Sequence, residues 1–395
     1  MIRVEPALLR CAALALVASL LLCGPEVGAQ ELPKDLAARL TPEQREIYLR
    51  YRKARDSHER RHRAYWHSVE TKREARKAKR LLGQAYTADD YVAEQPPKFE
   101  GSDLPADIAK IVSETRPLPP PTPLPTVEDF LEQAKAIYGF VPSATTERDF
   151  KRSYAREALA VGLTKDQVVR VYALETGGQG TYDMQAGFNP LTKQGRAISS
   201  ALGYAQLLHA NSVGELVKHG DTFVRRLLSM AAAPATPPER AEALRAKAAV
   251  LRRMLRAART VPNEWGAHVK FAGTPQGLGI HTINLDADIG PWLQVLKLKG
   301  LKDYAAEAGR ERLSGSEIEL MNLAGPRTGL EMMLPVARNM PTANFFSEGG
   351  YYRNTIVREK TAAELLSALN DRMEVNLKKP GAVEFAEIFD ELTRR

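Results

Sequence analysis

Cysteine is almost missing from this 395-residue sequence: Cys11 and Cys23 are the whole complement, and both fall in the first thirty residues. The remainder can form neither a disulfide nor a thiolate metal site, so its stability has to come from burying apolar side chains. A hydrophobic content of 44% supplies enough of them for one large domain and an appendage. Long apolar runs are also lacking. No segment after residue 30 approaches the roughly 20 uncharged residues that a bilayer span requires, which excludes an integral membrane protein. Strand-like alternation is scarce and no internal repeat is present. No Gly-rich phosphate loop and no serine or cysteine nucleophile arrangement stands out, so nucleotide and acyl-transfer chemistry have no foothold.

What is present begins with an export pattern. Arg3 and Arg10 precede the apolar run 11–23, which is too short to span a membrane, and Val27-Gly28-Ala29 offers the small residues of a cleavage site. Residues 1–29 therefore read as a signal peptide cut near Ala29, placing the mature chain in the periplasm. Lipidation of Cys23 is the alternative. The net charge of +8, with a pI near 9.3, favours encounters with polyanions. Export removes nucleic acid from that class and leaves lipid head groups and the carboxylate-bearing cell wall.

Residues 30–115 form a charged helical region. Thr41-Pro42-Glu43-Gln44 is a helix start, with Thr as cap, Pro at the first position and Gln three residues on. The stripe Ile47, Tyr51, Ala54, Tyr65 and Val69 is too thin to bury much surface. This helix is expected to lie along the main domain or to project towards a partner protein. The proline-rich stretch 116–126 reads as a stiff linker or strap. From 127 to 395 the pattern is helical, with a separate helical insertion expected at about 237–259, where Leu244, Ala248, Leu251 and Leu255 repeat at packing intervals.

One segment carries chemistry. Thr164-Lys165-Asp166-Gln167 is a second capping box, and the helix it opens should end at Glu175, before Thr176-Gly177-Gly178. Val168, Val171, Tyr172 and Glu175 then share one face, which is the apolar one. A carboxyl there suffers desolvation and the partial negative charge of the helix C-terminus, and both raise its pKa. A carboxylic acid held protonated near neutral pH is a candidate general acid. A nearby arginine or backbone amide that simply satisfies Glu175 is the structural alternative.

About thirty residues on stands Gly203-Tyr204-Ala205-Gln206-Leu207, and further on Asn322-Leu323-Ala324-Gly325-Pro326. With Glu175-Thr176, these three elements resemble, in order, the lysozyme-like lytic transglycosylases. Those enzymes carry a helix ending in Glu-Ser/Thr, a Gly-Leu-Met-Gln-Leu-type segment and a Tyr-Asn-Ala-Gly-Pro-type segment. The likeness covers roughly residues 140–330. The chain departs from the pattern by a longer gap at 179–197, and by Asn322 and Leu323 where the family has Tyr and Asn.

The resemblance implies a mainly α, lysozyme-like domain that cuts peptidoglycan glycan strands between N-acetylmuramic acid and N-acetylglucosamine. Glu175 would serve as both acid and base, leaving 1,6-anhydro ends and needing no cofactor or metal. Thr176, Gly203, Tyr204, Gln206, Asn322 and, from the Gly349-Gly350-Tyr351-Tyr352 loop, Tyr351 are the expected sugar-contacting residues. Gly203 would let a sugar approach the backbone. Tyr204 would offer a stacking face, and Gln206, one helical turn later, an amide for hydroxyls. A hydrolase would need a second carboxylate. Asp183, Asp286 and Asp288 are candidates, although Asp286-Ala287-Asp288 reads more as turn chemistry. A wall-binding scaffold without turnover is the second expectation.

A rival motif, His58-Glu59-Arg60-Arg61-His62, fits the His-Glu-x-x-His pattern of zinc metalloproteases. The arginines and lysines around it would repel a cation, and a third ligand is not evident, so a solvated charged face is the expectation there.

Overall fold

In the computed structural model, residues 32–115 and 123–394 are described. The expected signal peptide, Cys23 included, and most of the proline-rich linker lie outside them. The fold is mainly α, as expected. Among the described residues, extended pairing is confined to isolated bridges, and no helix is long and apolar enough to cross a membrane.

The chain divides into two compact units. Of the described residues, one takes 32–57 and 100–115, the other 58–99 and 123–394. The first contains α1 (Lys34–Arg39), the beginning of α2 (Pro42–Leu81) and α3 (Ala106–Thr115). Leu36, Leu40, Tyr48 and Ile108 form its small core. Thr41 and Gln44 cap α2 reciprocally, as their spacing predicts.

The division corrects the expected domain boundary, because α2 from His58 onward belongs to the large unit. Tyr65, Trp66 and Val69 are buried there with Tyr91, Phe345 and Tyr351. Arg76 is buried too, with Nε on Glu331 at 2.8 Å, Nη1 on the Asp90 carbonyl and its guanidinium 4.5 Å from the Tyr91 ring. This stretch looks solvated in sequence because several of its partners, Glu331, Phe345 and Tyr351 among them, lie more than 250 residues away.

The large unit continues with α4 (Val127–Gln133), α5 (Glu147–Ala160), α6 (Lys165–Glu175), α7 (His209–Ala232), α8 (Pro238–Ala258), α9 (Trp265–Ala272) and α10 (Pro275–His281). It closes with α11 (Gly290–Glu307), α12 (Gly315–Ala324), α13 (Pro326–Met332), α14 (Glu348–Arg353), α15 (Ala362–Asn376) and α16 (Pro380–Thr393). The expected insertion is α8, and it is not separate. Leu244, Ala248, Leu251 and Leu255 join one core with Leu216, Phe223 and Leu227 of α7. Lys247 ties α8 further in, with Nζ at 2.7 Å from Asp286 and also paired to Asp288. A second core gathers α5, α6, α11, α12 and α16 around Tyr154, Tyr172, Tyr204 and Phe385, and this is the core that positions the candidate site.

Candidate active site

The capping box at Thr164 and Gln167 opens α6 as expected. Val168, Val171 and Tyr172 are buried on the face that also carries Glu175. The helix exit is fixed from three directions. Thr176 donates its hydroxyl to the Tyr172 carbonyl at 2.6 Å. Asn376 of α15 donates its amide to the Ala173 carbonyl at 2.9 Å. Gly178 takes the left-handed region, with φ 73°, where a Cβ would strike the Asn376 carbonyl at 2.2 Å. Only glycine fits that corner.

Glu175 is ringed by protein but keeps a partly exposed surface. A second acid, Glu319 of α12, is buried at 1% exposure and lies within hydrogen-bonding reach of it. Asn322, one turn further along α12, donates to Glu175 Oε1 at 3.0 Å and to Glu319 Oε2 at 3.4 Å. Burial pushes Glu175 up to about 7, against the opposing hydrogen bonds of Glu319 and Asn322 and the positive charge of Arg372. Glu319 is raised well above the ordinary range, first by burial and then by the charge and hydrogen bond of Glu175. Two carboxyls in contact cannot both ionise readily, so near neutral pH the pair retains a proton and titrates as a unit. Lys297 of α11 stands near Glu319, where burial lowers its own pKa and Glu215 and Glu319 oppose that fall.

The other predicted residues divide into groups. Thr176, Gly203 and Tyr204 are turned to the interior, a correction to their expected sugar contacts. Thr176 closes α6. Gly203 does not sit on a helix but in a tight turn bridged from Leu202 to Leu207. Its φ is 75°, and a Cβ would meet Gln294 Nε2 at 2.4 Å, so the side chain of Gln294 fills the space left for a sugar. Tyr204 is 1% exposed, its ring 4.8 Å from that of Tyr172, and its hydroxyl donates to Glu147.

Gln206 lies in the same turn with φ 41°, not one helical turn on, and its amide donates to the carbonyls of Gly203 at 2.8 Å and Met184 at 3.2 Å. The run misleads because short apolar segments with Gly and Tyr fit a turn as well as a helix. Asn322 does join the site, but it grips the two acids. Tyr351 is buried, accepts the Glu359 N–H at 2.8 Å and lines a different cavity, described below.

The candidate second carboxylates serve structural ends. Asp183 is held ionised by Thr181 and Lys193. Asp286 accepts the Ser143 N–H at 2.8 Å and pairs with Lys247, and Asp288 pairs with Lys247 and Arg240. Glu319, by contrast, escaped sequence reasoning. A signal for it existed, since Ile318-Glu319-Leu320-Met321 places an acid in an apolar run, the same anomaly that marks Glu175.

At His58 and His62, His62 Nε2 meets the Tyr352 hydroxyl at 2.9 Å and the Trp66 indole N–H at 3.2 Å. Among the described residues, no group of three or more His, Cys, Asp or Glu side chains is arranged to hold a metal ion.

No protein-family model, no curated protein and no solved structure matches this chain.

Proposed function

We propose that the chain is a glycan-cleaving enzyme of the lytic transglycosylase type, acting on periplasmic peptidoglycan with Glu175 as its acid and base. One observation carries this: a partly exposed glutamic acid, in contact with a second, fully buried acid, is raised by burial to a pKa of about 7. A general acid needs a pKa close to the working pH.

The spacing of the acids favours a one-acid route. Two-carboxylate glycosidases hold the pair about 5–5.5 Å apart when retaining and about 6.5–9.5 Å when inverting, with the scissile bond between them. Carboxyls in hydrogen-bonding contact leave no such room. Glu175 would protonate the glycosidic oxygen as its bond to the muramic C1 breaks. Its carboxylate would then take the C6 hydroxyl proton as that oxygen closes on C1, giving a 1,6-anhydro end with no water consumed. Burial would keep Glu175 protonated, and hydrogen bonds from Glu319 and Asn322 would aim it.

Incubation of the mature protein with purified sacculi, followed by mass analysis for anhydro-sugar ends, tests this. Release by wild type that Glu175→Gln abolishes supports it. Absence of release from wild type rejects it. The second reading, a wall-binding scaffold, is favoured by the inward burial of Thr176, Gly203 and Tyr204, and predicts sedimentation with sacculi without release.

A further inference from the structure

The two histidines of the rival zinc motif line a cavity of about 280 Å³ in the large unit. It shares no lining residue with the Glu175 cluster. Its walls are aromatic: the His58 and Phe99 rings are 5.7 Å apart, edge to face, and the His62 and Tyr352 rings are 5.5 Å apart. Lys98 also lines it but is engaged with Glu359 at 2.7 Å, which neutralises the one carboxylate of the wall.

Arg358 is the cation left over. It makes no ion pair among the described residues, and its buried Nε finds no hydrogen-bond partner there. Its charge bears on Tyr351 and Tyr352, which places it against the aromatic wall. A desolvated guanidinium N–H without an acceptor is unfavourable, and its planar fork suits a carboxylate or phosphate. The backbone beside it is strained as well. Glu359 holds φ at 56°, a region that residues other than glycine seldom adopt, and its N–H is tied to the Tyr351 hydroxyl at 2.8 Å. Strain of this kind gathers at ligand clamps.

We infer that this cavity is a binding site for a small anion carried on a flat or ring-shaped body, with the anionic group on Arg358 and the body against the aromatic wall. The volume falls just below the range of about 300–1,000 Å³ usual for drug-sized ligands, so the occupant has a single ring. The inference does not depend on what Glu175 does.

Benzoate, acetate and benzyl alcohol separate the anion from the ring. Trp66 donates to His62 and lies 6.0 Å from the Tyr352 ring, so its indole N–H resonance, assigned by its loss in Trp66→Phe, reports on this cavity. Benzoate is expected to shift it saturably, and about tenfold more tightly than acetate or benzyl alcohol. Arg358→Gln should weaken benzoate by about tenfold or more, the range for hydrogen bonds to charged groups, while leaving benzyl alcohol unchanged. Phe99→Ala should weaken benzoate and benzyl alcohol together, which keeps the test open should Arg358→Gln not fold. No saturable shift with benzoate, or benzoate affinity unchanged in either variant, overturns the inference. Glu175→Gln should bind benzoate as wild type does, whatever becomes of the glycan assay.

Discussion

Glu175, at the end of α6, and Glu319, midway along α12, lie in hydrogen-bonding contact and between them retain a proton near neutrality. Burial raises both, Glu175 raises Glu319 further through its charge and hydrogen bond, and the hydrogen bond from Glu319 holds Glu175 below what burial alone would give. Their coupling makes the pair, rather than one residue, the unit to be measured.

Removing one acid should therefore change the other. In Glu175→Gln, Glu319 loses both the like charge and the hydrogen bond that raise it, while its burial remains. Its titration is expected to move to lower pH without returning to the ordinary carboxylate range. Carboxyl carbon chemical shifts followed against pH would show this. A Glu319 titration that does not move on losing its neighbour would mean that the two groups are not in contact.

The same shifts make a statement about stability. An acid whose folded pKa lies above its unfolded value binds more protons folded than unfolded, so the stabilisation is full below about pH 4.5. It is lost as pH rises through the folded value, about 7 for Glu175. At 1.36 kcal/mol per unit, the loss is about 3 kcal/mol for a group shifted this far. Urea denaturation at pH 5 and pH 8 should show wild type losing more stability across that interval than the double variant Glu175→Gln, Glu319→Gln. Equal losses would contradict the assignment.

Local signals in the sequence carried well. The box at Thr164 and Gln167, the exit of α6 and the packing stripe of α8 each depend on residues within one or two turns, and each forms as its pattern implies. Signals whose meaning rests on distant partners did not carry. Arg76 reads as one more surface charge until Glu331, Tyr91 and the Asn344 carbonyl surround it. Tyr204 fits a sugar platform or a core ring equally well, and only Phe150, Tyr154, Tyr172 and Phe385 closing around it decide for the core. Glu175 was legible because its own helix exposes the anomaly. Glu319 needed α6 and α12 to be brought together.

Gly203→Ala should destabilise the fold without touching the acids. A left-handed φ of 75° is costly for alanine, about 1–2 kcal/mol, and the new methyl would meet Gln294 Nε2. A loss of about 2–3 kcal/mol in urea denaturation is expected. Gly203→Ala as stable as wild type would mean that the turn accepts a side chain there.

Lys247→Met offers the sharpest test of how α8 is held. Lys247 is 8% exposed and its ammonium contacts Asp286, itself fully buried, together with Asp288 and the Ser143 hydroxyl at 2.8 Å. Methionine preserves most of the stem's packing and removes the charge, leaving Asp286 buried without its cation. Breaking a buried pair from one side typically costs about 3–5 kcal/mol, far more than the pair contributes when intact, because the remaining charge is uncompensated. Asp288 keeps Arg240, so the burden falls on Asp286. Asp286→Asn in the Lys247→Met background, which removes the uncompensated charge, should consequently recover stability. If Lys247→Met were as stable as wild type at pH 7, α8 would be held by its apolar seam with α7 alone.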